Sequence, residues 1–111
     1  MMIFAWEIWN LEHIAGHGVD QEEAESVVRA ARPPFPLLQG GGKSRVQGPT
    51  PSGRWLQVIF VLRDTASIDL HWIAPEDRLD FADVQAVHYV IHARDLTERE
   101  RRDTRKKLGR T

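Results

Sequence analysis

Residues 55–63 read WLQVIFVLR, and residues 87–94 read VHYVIHAR. The first run is rich in β-branched and aromatic residues. It is bounded by the turn-forming PTPSG at 49–53, which makes it the strongest strand of the chain. The second alternates: Val87, Tyr89, Ile91 and Ala93 on one face, His88, His92 and Arg94 on the other, with Val90 the exception. Two such strands joined in sequence order, with turns rather than long helices between neighbours, favour antiparallel pairing. Helices before and after the strands then give an α+β fold: two N-terminal helices and a C-terminal helix packed on a small antiparallel sheet. Such a sheet, covered by helices on one face, offers its other face to a ligand.

Working outward, residues 3–6 are apolar and short enough for a first strand. Asn10 is a helix cap for 11–17, with Leu11, Ile14 and Ala15 on one side and Gly18 to end it. Asp20 and Glu23 have capping-box spacing for a second helix, whose buried stripe is Ala24, Val27, Val28 and Ala31. Pro33 and Pro34 stop it. Residues 37–48 contain a bent, glycine-rich strand. Residues 67–73, SIDLHWI, alternate as a further strand, and Leu79, Phe81 and Val84 can anchor a short helix or an ordered loop. Thr97 with Glu100 opens a C-terminal helix charged nearly all round.

The 111 residues fit one domain, 1–111, and one modest core. With no cysteine, a disulfide scaffold, an iron–sulfur centre and thiolate zinc are excluded. The longest apolar run, 58–62, is far short of a membrane span, and the N-terminus does not read as a signal peptide; a cytoplasmic location is expected. The net charge of −1 hides a segregation. From Asp64 to Asp83 there are six acidic residues and one arginine; from Arg94 onward there are eight Lys/Arg against four acids. The acidic stretch at about 64–86 is insertion-like, and is expected to dock on basic residues of the last helix or of a partner.

Three segments resemble the BrnT family of ribonuclease toxins, whose fold is similar to that of RelE-type toxins. They are WEIWNLEHIAGHGV at 6–19, SRVQGPTPSGRWLQVIFV at 44–61 and VIHARDLTERERR at 90–102. The resemblance implies a metal-independent endoribonuclease, the toxin of a type II toxin–antitoxin pair that inhibits translation. Its partners would be an RNA substrate and a cognate antitoxin, with DNA engaged only through the antitoxin; no membrane and no cofactor are implied. Gly16 stands where the family often has a cation, and the 64–86 connection is longer than usual. Those departures keep open an alternative, a non-catalytic protein-binding module on the same fold.

Metal-free RNA cleavage needs a base for the 2′-OH, cations for the crowded phosphate and an acid for the leaving 5′-oxygen. Histidine and arginine suit these tasks. Arg45, Arg54 and Arg94 match family positions on or beside strands and are the expected phosphate clamps. His17, from the His-Gly pair, and His92, on a strand face with Arg94, are the expected proton-transfer residues; His88 lies further along that face. Arg99, Arg101, Arg102, Arg105 and Lys106 of the last helix are the expected RNA-backbone contacts. Trp9, Trp55 and Trp72 can stack on bases, or lie in the core. His13 and His17 have i, i+4 metal-ligand spacing, but the glutamate of HExxH is absent and no metal site is expected. Gly40–Gly42 lacks the ending of a phosphate loop.

Overall fold

The computed structural model describes residues 1–109. The architecture is α+β. Helices α1 (Ile8–Ala15) and α2 (Gln21–Arg29) precede strands β1 (Leu37–Leu38), β2 (Lys43–Pro49) and β3 (Trp55–Asp64). Short 3-10 turns and helix α3 (Arg78–Phe81) lead into β4 (Ala86–Asp95), and α4 (Glu98–Leu108) follows. The sheet is antiparallel throughout, in the order β1-β2-β3-β4. Among the described residues no helix is long and apolar enough to cross a membrane.

Directly paired residues share a face, so the register assigns the two sides of the sheet. Val46, Leu56, Val58, Phe60, Val90 and Ala93 form one face and join Ile14 of α1 and Ala24, Val27 and Val28 of α2 in the main core. The second helix is the one the capping box announces: Glu23 N–H donates to Asp20 Oδ1 at 2.8 Å, and Asp20 N–H to Glu23 Oε1 at 3.1 Å. The first helix starts earlier than Asn10 implies. Asn10 lies inside it and is fully buried; its Oδ1 accepts from Glu7 N–H and its Nδ2 donates to the Ala5 carbonyl. The helix also ends earlier than the expected 17, at Ala15 with Gly16 as its C-cap, and Gly18, at φ 71°, has the expected positive φ in the turn that follows.

The opposite face carries Arg45, Gln47, Gln57, Ile59, Val61, Tyr89, His92 and Arg94. One end of it is covered by residues 65–84, where Ile68, Trp72, Phe81 and Val84 pack with Val61, Val87 and Tyr89. The strand expected at 67–73 does not form there. Asp64 Oδ1 accepts from Ala66 N–H and Asp69 Oδ1 from His71 N–H, each closing a tight turn in place of a ladder. The other end is held under α4: Thr104, fully buried, donates through its hydroxyl to Gln47 Oε1, and Gln47 Nε2 donates to Gln57 Oε1, both at 2.9 Å. The face expected to be open is therefore open only between these two covers. Residues 3–6 form no full strand; Phe4 pairs with His88 in a single parallel bridge that covers the outer edge of β4.

A β-bulge sets the side-chain directions of β4. Phe60 pairs with Val90 and Ile59 with His92, leaving Ile91 as the extra residue. The alternation expected for 87–94 breaks at that point. His92 and Arg94 do share a face, but His88 lies on the other one, between the rings of Phe4 and Phe60 at 5.2 and 4.9 Å.

Candidate functional site

The row Arg45–Ile59–His92 runs across β2, β3 and β4 on the partly covered face. With strands about 5 Å apart, the Arg45 and His92 backbones are about 10 Å from each other, with Ile59 as the floor between them. Both side chains are half-buried. Among the described residues Arg45 Nε and His92 Nδ1 are buried without a hydrogen-bond partner. Buried polar atoms are normally paired, so two such donor or acceptor atoms flanking a single floor residue make this row a candidate for holding a polar group.

Helix α1 and the turn after it bring two more imidazoles. The helix lies along the outer edge of β4, Trp9 and His13 are one turn apart on one flank, and His17 follows in the turn beyond Ala15. The His17 ring is 4.9 Å from that of His92, and the His13 ring 5.9 Å. Trp9 stacks nearly parallel on His13, at 5.1 Å and 7°, and lies near Tyr89 at 6.3 Å and 15°. Burial pulls the His92 pKa below the usual histidine value, helped by the positive potential of His17, His13 and Arg94. His92 is therefore a neutral imidazole near pH 7. Burial pushes the Tyr89 hydroxyl up to about 12, with the Glu7 carboxylate beside it adding to the shift. The Arg63 guanidinium sits 4.9 Å over the Tyr89 ring.

The three expected clamp arginines separate. Arg45 lies on the row, and among the described residues no hydrogen bond or ion pair holds its guanidinium. Arg94 is on the same face, but Glu100 takes its guanidinium in a bidentate pair, both bonds 2.8 Å. Bonding to Arg94 holds the Glu100 carboxyl down to about 2 and raises the Arg94 pKa in turn. Arg54 is elsewhere: it donates to Asp95 at 2.7 and 2.9 Å, to Glu23 and to the Gly18 carbonyl. These bonds, that to Asp95 first, raise its pKa. Asp95 pairs in register with Leu56, on the helix-covered side, so Arg54 ties the end of β4 to the α1–α2 turn and stays off the row.

On α4, Arg99, Arg102 and Lys106 are exposed and lie on its outer side, with no partner among the described residues. Arg101 is half-buried with an unpaired Nε, and Arg105 lies over Trp55 at 5.1 Å. Sequence reasoning passed over Tyr89, Arg63 and the Glu100 counter-ion, and took His13 only as a possible metal ligand. The signal available was the Trp9–His13–His17 spacing. Although His92 joins His13 and His17, among the described residues no group of three or more His, Cys, Asp or Glu is arranged to hold a metal ion. No family model, no curated protein and no solved structure matches this chain.

Proposed function

We propose that this chain is a metal-independent endoribonuclease of the BrnT type, acting in the cytoplasm as the toxin of a toxin–antitoxin pair. The observation that supports this reading best is the juxtaposition of Arg45 and His92 over Ile59, with His17 against His92. The neutral His92 imidazole takes the proton of the attacking 2′-OH. The Arg45 fork receives two non-bridging oxygens as negative charge grows on phosphorus. The P–O5′ bond breaks as the 2′-oxygen bond to phosphorus forms, and His17 returns a proton to the departing 5′-oxygen. The products are a 2′,3′-cyclic phosphate and a 5′-hydroxyl. The outward cations of α4 hold the flanking backbone.

The test is cleavage of an end-labelled single-stranded RNA by the purified chain in the presence of a chelator. His92→Ala and Arg45→Ala are each expected to lower the rate by about a hundredfold or more. Unchanged rates in both variants, or no cleavage by the wild type, would falsify the assignment. A second reading, a non-catalytic module acting through a protein partner, draws on the carboxylates that occupy Arg94 and Arg54. It predicts intact RNA alongside a stable complex with the product of a neighbouring gene.

A further inference from the structure

Of the four tryptophans, Trp6 is in the core and Trp55 and Trp72 are half-buried; Trp9 alone is exposed, at 52%. Exposing a large aromatic on a short helix leaves much of its apolar surface in water. Trp9 is one helical turn before His13, lies nearly parallel to it, and has Tyr89 of β4 close by at a similar tilt. The result is an aromatic ledge of near-parallel rings that starts two ring contacts from His92 and leaves about half of the indole uncovered.

We propose that this ledge is a binding site for one unpaired nucleobase, the one next to the phosphate seated between Arg45 and His92. The inference rests on the ribonuclease reading and narrows its substrate class. A base can lie on Trp9 only when it has left a duplex stack, so the substrate is single-stranded RNA, or a loop, at the cut position. Stacking accepts any base, because every base presents a π face; the ledge selects for strandedness rather than for a letter. The other exposed apolar residues of α1, Ile8 and Leu11, line a separate groove with Trp72 and His71, one that His13, His17 and His92 do not line. The geometry therefore joins Trp9 to the catalytic row and not to that groove.

The experiment measures equilibrium binding of a 2′-O-methyl oligoribonucleotide, which has no attacking hydroxyl, by fluorescence anisotropy. Wild type, Trp9→Ala and Trp9→Phe are compared, and thermal unfolding checks each variant. Trp9→Ala is expected to weaken binding about tenfold, and Trp9→Phe to retain most of it. A second arm needs no variant: wild type is expected to bind an oligonucleotide with abasic sites at every position about tenfold more weakly than the intact one. Binding of Trp9→Ala, or of the abasic strand, within twofold of the reference overturns the ledge while RNA cleavage by the wild type still stands. If wild type neither binds nor cuts RNA, the ribonuclease reading and the ledge fall together. Loss of a protein partner in Trp9→Ala, with RNA binding intact, assigns Trp9 to a protein interface and overturns the proposal.

Discussion

The Arg54 guanidinium reaches Asp95, Glu23 and the Gly18 carbonyl, whereas Arg45 has an Nε with no partner among the described residues. The same side chain thus serves two purposes, and its acceptors tell them apart. A paired guanidinium close to a third exposed stabilises through charge-assisted bonds, each worth more than a neutral one. Arg54→Ala is expected to lower unfolding stability by about 1–3 kcal/mol, because it also strands two carboxylates near each other. Arg45→Ala should move stability by no more than roughly 0.5 kcal/mol, since no acceptor loses a bond. Urea unfolding of the two variants measures the contrast; equal losses would show that Arg45 is structural too and remove its reason for being a phosphate clamp. Residue matching alone put the two arginines in one class, because a sequence names donors but does not say which carboxylates will meet them.

At the level of elements, β3 and the capping boxes of α2 and α4 were readable because their signals are local. Nine consecutive strand-forming residues, or an acceptor three positions before a glutamate, need no tertiary partner to act. The exception at Val90 was the trace of the bulge, but an alternating pattern with one irregular residue does not show which residue is extra. The bulge decides the site: it separates His88, half-buried between Phe4 and Phe60, from His92, on the row. In 67–73 alternation misled, since Asp69, and Asp64 just before the run, close turns with their own side chains. The seat of α4 was also hidden. Its one buried polar residue, Thr104, holds the helix to the sheet through Gln47 and Gln57, all three of them buried. Thr104→Val keeps the volume and removes the hydroxyl donor, leaving Gln47 Oε1 unsatisfied; a loss of about 1–3 kcal/mol is expected. Thr104→Ser should recover most of it. Equilibrium unfolding followed by circular dichroism distinguishes the two, and equal stability of Thr104→Val and wild type would mean that packing alone seats α4.

For the whole molecule, the perturbed groups make stability depend on pH in two stages. His88 and His92 both have folded pKa values below the usual 6.5, each chiefly through burial. Below about pH 6.5 the unfolded chain takes up these protons and the native chain does not, so stability rises with pH through that window and is lost on acidification. Asp95 and Glu100 act in the same direction at lower pH: their folded pKa values are also depressed, by Arg54 and Arg94 respectively. Their contribution is complete above about pH 4.5 and disappears as pH falls toward about 2, where Glu100 finally protonates. Chemical denaturation at intervals from pH 8 to pH 3 should therefore show a plateau near neutrality, a decline from about 6.5 to 5, and a second decline below 4.5. His88→Leu removes one titrating group from between Phe4 and Phe60, and should shrink the first decline while leaving the second in place. Under the proposed ribonuclease reading, the catalytic rate follows only one of these groups. Its acidic limb is expected below 6.5, at the His92 pKa, and should be the same in His88→Leu as in wild type. A limb that moved with His88→Leu would mean that acid inactivates the enzyme by unfolding it, and that His92 is not the base.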